Sequence, residues 1–205
     1  MNKTYIKPPK SWENYTTHHI DAINSKWYKI VTKLQSEYVN LTVNYFSKKD
    51  MIFMLLPVTT GTISSPSGFG SNSKPVKVNI LGQDTYLVDS MQFYLEYSCR
   101  LHNKGCYYLA PSFRGEESDR SHLNEFFHSE AEFVGDLNDV IKFVENYITS
   151  LCNHFLETSC EDIIKVCGTT KHIKEFLSLK SVPRCTFEEA TRGVPRIVRR
   201  YSEIE

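Results

Sequence analysis

The feature that most constrains the fold is the order in which hydrophobic patterns follow one another. Apolar residues recur at intervals of three and four from Ile20 to Tyr45, which predicts a long amphipathic helix. Strand-like runs occupy the middle of the chain, and a second helical stripe covers Leu137–Phe155. Strands grouped between helices, without regular alternation, indicate an α+β domain: an antiparallel β-sheet flanked by helices.

Several runs in the middle of the chain have the length of strands and are bounded by turn-forming residues. The first is apolar throughout and should be buried, and the next two flank Gly82, so they should pair as a hairpin. The runs are Met51–Leu56, Val76–Leu81, Thr85–Val88, Cys106–Phe113 and Phe126–Phe133.

Helix start signals support this order. Ser90 is suited to be the N-cap of a helix over Ser90–Leu101, and Gly135-Asp136 should start the helix at Leu137. Shorter helices are predicted near Glu161–Val166 and Thr170–Leu179, and Thr186 with Glu189 forms a capping box for a last one. Residues 1–19 carry Pro8, Pro9 and a polar mix, so we expect an irregular N-terminal arm there and one domain over residues 20–205.

Bulk properties exclude several classes of protein. The 24 basic residues equal the 24 acidic ones, so any RNA binding must come from a local patch, and we expect no DNA partner. No apolar run is long enough for a bilayer, and the N-terminus lacks the apolar centre of a signal peptide. The six cysteines form no C-x-x-C pair, which argues for reduced, mostly buried thiols and against zinc. A cytoplasmic protein without a membrane partner is expected.

Strand alternation divides the run before Phe133 into two faces. One face is compatible with a core, and the other carries two carboxylates, an imidazole and an aromatic ring. The core-compatible face comprises Phe127, Ser129, Ala131 and Phe133, and the polar face comprises Phe126, His128, Glu130 and Glu132.

The preceding strand ends in the same way, with Ser112, Arg114 and Glu116 on one parity, and the polar residues 117–122 connect the two strands. Such a pair builds a charged floor suited to a ligand that carries phosphates and a metal ion. Three alternatives stay open: a solvated face, a surface ion pair between Arg114 and Glu116, and Phe126 as a core residue.

The segment SFRGEESDRSHLNEFFHSEAEF (Ser112–Phe133) resembles motif 2 of class II aminoacyl-tRNA synthetases of the aspartyl, asparaginyl and lysyl branch. Weaker resemblances surround it, with the helix before Pro57 similar to the dimerisation element of motif 1. The matching positions are Phe113-Arg114-Gly115-Glu116, His122, Glu125-Phe126, Glu130 and Glu132, the Ser-x-Gln of Ser90 and Gln92, and the PRxTxxEA segment Pro183–Ala190.

The resemblance implies a six-to-seven-stranded antiparallel sheet that binds ATP in a bent form and joins it to an amino-acid carboxylate as an aminoacyl-adenylate. Arg114 would hold the α-phosphate and His122 would approach the outer phosphates, so both are candidate catalytic residues. Glu116 would accept a hydrogen bond from the adenine amino group, and Phe126 would stack on the adenine ring.

The same resemblance places Ser90, Gln92, His128, Glu130 and Glu132 at the amino acid. Glu130 and Glu132 would bind either the substrate ammonium group or Mg²⁺, so ATP and Mg²⁺ are the expected cofactors. His128 stands where relatives usually carry Gln, which leaves the side-chain specificity open. The Gly- and Ser-rich residues 64–72 lie where relatives have a loop that closes over the substrate, although a flexible connector is the alternative.

Two departures from the family pattern shape the expected function. No anticodon-binding barrel precedes the core, and the Gly-rich motif 3, with its arginine for the γ-phosphate, does not follow the PRxTxxEA segment. We therefore expect a core incomplete at its C-terminal end, completed by a homodimer or by a partner chain. Arg192, Arg196, Arg199 and Arg200 would form either a small basic patch or a solvated helix end.

Three functions follow from the resemblance. The first is an ATP-dependent ligase that activates aspartate, asparagine or a similar amino acid for transfer to tRNA. The second keeps this activation but uses ammonia or a small amine as the acceptor, making an asparagine-type amide. The third is a non-catalytic synthetase paralogue that binds a nucleotide or an amino acid, or that dimerises.

Overall fold

A computed structural model of the protein describes residues 5–9, 14, 16–61, 63, 74–118, 122–186, 188–189 and 192. The α+β class is confirmed, since these residues contain helices and strands in the predicted order. The helices are α1 (His18–Asn24), α2 (Lys26–Ser47), α3 (Gln92–Cys99), α4 (Leu137–Thr158), α5 (Cys160–Cys167) and α6 (Lys171–Leu177). The strands are β1 (Ile52–Phe53), β2 (Thr59–Thr60), β3 (Val76–Ile80), β4 (Gln83–Leu87), β5 (Cys106–Phe113) and β6 (Glu125–Glu132).

The chain divides into two compact units. The helical unit comprises Met1–Tyr45 and Gly135–Val182, and the sheet unit comprises Phe46–Val134 and Pro183–Glu205. In the described part of the chain, no helix is both long and apolar enough to cross a membrane.

The first predicted helix is interrupted. Ser25 adopts an extended conformation between α1 and α2, and its hydroxyl accepts a hydrogen bond from the backbone N–H of Tyr28 (3.3 Å). The side chains of Ile20 and Ile23, which began the predicted apolar stripe, are 52% and 69% exposed. The prediction of one helix from Ile20 was therefore wrong at its start, and helical structure begins at His18, within the expected irregular arm.

Helix α4 begins where the sequence predicted. The Asp136 carboxylate accepts from the N–H groups of Asn138 and Asp139, and the Asp139 carboxylate accepts from the N–H of Asp136, which completes a capping box. Within the helical unit, the hydroxyls of Thr42 and Tyr147 lie 2.6 Å apart and join α2 to α4.

The sheet unit differs from the expected single sheet. Its described strands form two three-stranded sheets, with the orders β1-β5-β6 and β2-β4-β3, and β1 runs parallel to β5. The predicted six-to-seven-stranded antiparallel sheet is therefore wrong for the described residues. The predicted buried strand is also wrong, because Ile52 and Phe53 are 38% and 41% exposed, while Met54 and Leu56 pack against the core.

The hairpin of β3 and β4 is confirmed. Ile80 pairs with Gln83, so Leu81 and Gly82 alone form the loop, and both have positive φ angles (49° and 85°). A loop of this length needs left-handed residues to match the twist of the strands, which explains the glycine.

Strands β5 and β6 pair in antiparallel register and pack on α3, where Val88, Leu95, Cys106 and Tyr108 form the core. Neither face of β6 is fully buried, and Ser129, Ala131 and Phe133 are partly buried like the polar residues. The face predicted to suit a core exposes Phe127 by 70%, and the polar face lies half-buried on the side of α3. Glu130 and His128 are hydrogen-bonded there.

The predictions for the C-terminal capping box, the arginine patch, residues 64–72 and the cysteines have different outcomes. The capping box of Thr186 and Glu189 is confirmed by reciprocal hydrogen bonds. Arg192 forms an exposed ion pair with Glu188, whereas the other three arginines of the proposed patch and residues 64–72 lie outside the described residues. All six cysteines are free, but only Cys106 is buried, so the expectation of mostly buried thiols was wrong.

Candidate functional site

Four of the predicted site residues, all on β6, share one face of the β5–β6 pair. In the antiparallel register Tyr108 lies opposite Glu130, and Ser112 lies opposite Phe126. Directly opposed residues project to the same side of a sheet, so these side chains share the face toward α3. The sequence predicted the β6 half of this face and Ser112 at the end of β5, whereas Tyr108 follows only from the register.

Glu130 is the most highly coordinated side chain of the site. Its Oε2 atom accepts hydrogen bonds from the Ser90 hydroxyl (3.0 Å), the backbone N–H of Met91 (3.3 Å) and the hydroxyl of Tyr108. The Tyr108 oxygen also accepts from the Met91 N–H (3.1 Å). These donors converge from the turn before α3 and from β5, so they fix the carboxylate in one orientation.

The charge of Glu130 is maintained despite its burial. Desolvation raises the pKa of the Glu130 carboxyl, but hydrogen bonds from His128, Tyr108 and Ser90 outweigh it, and the net pKa lies below its ordinary value. The pKa of the Tyr108 hydroxyl is raised, first by burial and then by its hydrogen bond to Glu130. Tyr108 therefore stays a neutral donor to a carboxylate at neutral pH.

His128 connects this carboxylate to the outer end of the strand pair. Its Nδ1 lies 3.2 Å from Glu130 Oε1 and 2.9 Å from the Ser112 hydroxyl. Its ring meets the Phe126 ring edge to face, with the ring centres 4.7 Å apart. Nδ1 carries at most one proton, so it serves Glu130 as a donor only while the Ser112 hydroxyl acts as an acceptor. The imidazole is thus held between a carboxylate and an aromatic ring.

Arg114 continues the same row of side chains. Its Nη1 donates to the backbone carbonyls of Asp89 (2.6 Å) and Phe113 (3.3 Å), and its guanidinium carbon lies 5.5 Å from the centre of the Phe126 ring. Among the described residues no carboxylate lies within ion-pairing distance of it, so the alternative of an ion pair with Glu116 is not supported. Carbonyl anchors and an aromatic ring orient the guanidinium without neutralising its charge, which suits it to an anion.

Glu116 lies just beyond Arg114 and contacts a different segment. Its Oε1 accepts from the backbone N–H of Lys74 (2.8 Å), and the N–H of Gly115 donates to the Lys74 carbonyl (2.8 Å). Its Oε2 is shielded from solvent and has no hydrogen-bond partner among the described residues. An unpaired buried carboxylate oxygen is costly, so this atom is suited to accept from a ligand.

Asn124 was not found by sequence reasoning, although it fixes the backbone of both charged residues. Its side-chain amide donates to the backbone carbonyls of Arg114 (2.9 Å) and Glu116 (2.6 Å). Its backbone carbonyl accepts from the backbone N–H of Arg114 (2.8 Å). The sequence also missed Tyr108, since a tyrosine in an apolar strand has no feature that distinguishes a site residue from a core residue.

Three predicted residues lie at the margin of this network. Gln92 is the first residue of α3, so the helix begins two residues later than predicted, and Ser90 accepts from the Gln92 N–H (3.2 Å) without being the N-cap. His122 is exposed on the connection before β6. Glu132 lies near other carboxylates: burial, then the charges of Glu96 and Glu130, raise the pKa of its carboxyl.

The described residues do not provide a ready-made metal centre. No group of three or more histidine, cysteine, aspartate or glutamate side chains is placed to hold an ion there. Three donors already occupy Oε2 of Glu130, which leaves Glu132 as the more open carboxylate of the pair. Mg²⁺ is commonly held by one or two carboxylates together with substrate phosphates, and these residues fit that mode.

Two solved asparaginyl-tRNA synthetases share this fold. Asparaginyl-tRNA synthetase from Pyrococcus horikoshii, complexed with asparaginyl-adenylate, superposes with a TM-score of 0.76 at 22% identity, covering 95% of this chain and 42% of that one. The Entamoeba histolytica asparaginyl-tRNA synthetase gives a TM-score of 0.72 at 20% identity, covering 97% and 45%. The fold is therefore that of a class II synthetase core.

The sequence itself identifies the family. Residues 11–200 match the class II tRNA synthetases (D, K and N), and the chain belongs to that family. The asparagine–tRNA ligase of Koribacter versatilis is 27% identical over 200 residues, covering 93% of this chain and 42% of the relative. A probable cytoplasmic asparagine–tRNA ligase of Enterocytozoon bieneusi is 34% identical over 116 residues, covering 56% and 25%. The chain thus spans less than half the length of these relatives.

Proposed function

We propose that this chain provides the ATP-binding and amino-acid-binding residues of a ligase that activates asparagine as an aminoacyl-adenylate. One observation carries the proposal: a guanidinium without a carboxylate partner among the described residues, Arg114, adjoins the hydrogen-bonded carboxylate Glu130 through Phe126 and His128. A cation for phosphate and an anion for an amino acid therefore lie along one continuous row, as the reaction between the two substrates requires.

In the proposed reaction, an oxygen of the amino-acid carboxylate attacks the α-phosphorus of ATP, and pyrophosphate leaves. Arg114 would stabilise the charge that grows on the α-phosphate oxygens, because its donors are held in place before the reaction begins. Phe126 would stack on adenine, Glu116 would accept from its amino group, and His122 would approach the outer phosphates. Mg²⁺ bound to the phosphates would neutralise part of their charge.

Glu130 supports asparagine over aspartate as the substrate. Its carboxylate is held as an anion by hydrogen bonds, so beside the substrate side chain it would attract the amide of asparagine and repel the carboxylate of aspartate, whereas the ammonium group is common to both. Ser90, Gln92, His128 and Glu132 would complete this pocket. The asparagine–tRNA ligases among the relatives also support this choice, and they make tRNA the proposed acceptor.

We further propose a cytoplasmic homodimer. Support for the compartment comes from the relatives named as cytoplasmic, whereas a Saccharomyces cerevisiae asparagine–tRNA ligase named as mitochondrial represents the alternative. Size-exclusion chromatography with light scattering would measure the oligomeric state.

Amino-acid-dependent ATP–pyrophosphate exchange tests the activity, with asparagine, aspartate and lysine compared. Asparagine should support the exchange, and Arg114→Ala should lower kcat/KM by about a hundredfold or more. Arg192→Ala is the matched control, because that arginine forms only an exposed ion pair. A folded protein that binds a non-hydrolysable asparaginyl-adenylate analogue without exchange would support the non-catalytic alternative. Amide formation from aspartate and ammonia would instead support the amide synthetase.

A further inference from the structure

The two oxygens of the Glu116 carboxylate have different surroundings. Oε1 accepts from the backbone N–H of Lys74 at 2.8 Å, whereas Oε2 is shielded from water and has no partner among the described residues. Such a carboxylate can couple two interactions. The Lys74 N–H already orients the side chain through Oε1, so a ligand donor that reaches Oε2 meets an acceptor held in place.

The backbone contact between the two segments is equally specific. The N–H of Gly115 donates to the carbonyl of Lys74 at 2.8 Å. A Cβ at position 115 would lie 2.9 Å from that oxygen and 3.2 Å from the carbonyl oxygen of Pro75. Both neighbours are backbone atoms that cannot rotate away, so a glycine is required for Lys74 to approach this closely.

We infer that the backbone of Lys74 is a positioning element for the nucleotide, which orients Glu116 toward the amino group of the purine. The inference rests on the proposed function, because it assigns that amino group to Oε2. Lys74 itself would not touch the nucleotide. It would fix the side-chain rotation of Glu116, while Asn124 holds the Glu116 carbonyl (2.6 Å).

Coupling of this kind acts in both directions. If the Lys74 contact improves nucleotide binding, then nucleotide binding must strengthen the Lys74 contact by the same factor. The Lys74 amide hydrogen should therefore exchange more slowly when ATP is bound. A nucleotide that pulled Glu116 away from Lys74 would have the opposite effect.

Titration calorimetry with Mg-ATP on the full chain tests the inference by comparing two alanine substitutions. Gly115→Ala displaces Lys74 and should weaken ATP binding by about tenfold, the usual effect of losing one aligned hydrogen bond to a charged group. Gly61→Ala is the matched control, because its Cβ meets no atom within 4 Å, and it should leave the affinity unchanged. Equal affinities of Gly115→Ala and the unmodified protein would overturn the inference.

Hydrogen exchange of the Lys74 amide, followed by NMR with and without ATP, gives a second measurement that does not depend on how well Gly115→Ala folds. Glu116→Gln keeps an acceptor for Lys74 but presents an N–H₂ group to the purine. It should protect the Lys74 amide without ATP and gain nothing when ATP is added. Unchanged or faster exchange in the ATP-bound, unmodified protein would overturn the coupling while leaving the proposed function in place. Absence of any ATP binding by the unmodified protein would instead overturn the proposed function itself.

Discussion

The imidazole Nδ1 of His128 lies 3.2 Å from Oε1 of Glu130, two residues further along the same strand. Alternate residues of a strand share a face, so the contact follows from the strand itself and needs no tertiary adjustment. Donors from β5 and from the turn before α3 then saturate the other carboxylate oxygen. The site is therefore built around the His128–Glu130 pair of one strand, and β5 and the turn before α3 supply its remaining hydrogen bonds.

Glu130 should stabilise the fold in a pH-dependent way. Its pKa is lowered in the folded state, so its contribution is fully present above its ordinary value of 4.5 and is lost as the pH falls through the lower, folded value. Glu130→Gln should lower the free energy of unfolding by about 1–3 kcal/mol at pH 7. Urea unfolding at decreasing pH should show this difference shrinking below pH 4.5. A difference that grows on acidification would contradict the assignment.

Glu132 should behave in the opposite way. Its folded pKa is raised by burial and by the charges of Glu96 and Glu130, so its ionised form weakens the fold above that pKa. Glu132→Gln should therefore raise the free energy of unfolding at pH 7, by a few tenths to about 1 kcal/mol because the group is partly solvated.

The gain from Glu132→Gln should shrink in high salt, which screens like charges. It should also shrink as the pH falls below the raised pKa and vanish below the ordinary value of 4.5. Glu157→Gln, at an exposed position of α4, is the control for both glutamate substitutions. A salt-independent gain would mean that removal of like-charge repulsion is not its cause.

Phe126 and Phe127 provide a paired test of the two faces of β6. Phe126 lies half-buried beside Arg114 and His128, whereas Phe127 is 70% exposed on the other face. Phe126→Ala should weaken ATP binding by about five- to a hundredfold, the range expected for loss of a stacking partner of a base. Phe127→Ala should not change the affinity, and titration calorimetry would measure both. Equal losses for the two variants would place the nucleotide elsewhere.

These two phenylalanines also show how far sequence reasoning reached. The period of two separated them correctly, and β5 was predicted with its true bounds because turn-forming residues flank it. Hydrophobicity then placed Phe127 on a face suited to the core, whereas its side chain is 70% exposed. Only the register with β5 showed that Tyr108 donates to Glu130 on the polar face.

Sequence signals between near neighbours predicted local structure, but they did not predict contacts between segments far apart in sequence. The helix start at Asp136 needs only neighbours along the chain, and it was predicted. The contact of Glu116 with Lys74 joins two segments far apart in sequence, and the parallel pairing of β1 with β5 does the same. No periodicity or spacing encodes such contacts, so the predicted single sheet was wrong.

Gly105 offers a test of the register between β5 and β6. Its carbonyl accepts from the N–H of Ile52 (3.0 Å) directly before β5, its φ angle is +81°, and a Cβ there would lie 2.8 Å from the Glu132 carbonyl oxygen. Gly105→Ala combines an unfavourable left-handed alanine with a backbone clash, so it should lower the free energy of unfolding by about 2–4 kcal/mol. Gly61→Ala, whose Cβ meets no atom within 4 Å, should change it by less than about 0.5 kcal/mol in the same urea titration. Equal stability of the two variants would contradict the close approach of Gly105 to β6, and with it the register that places Glu130 beside Tyr108.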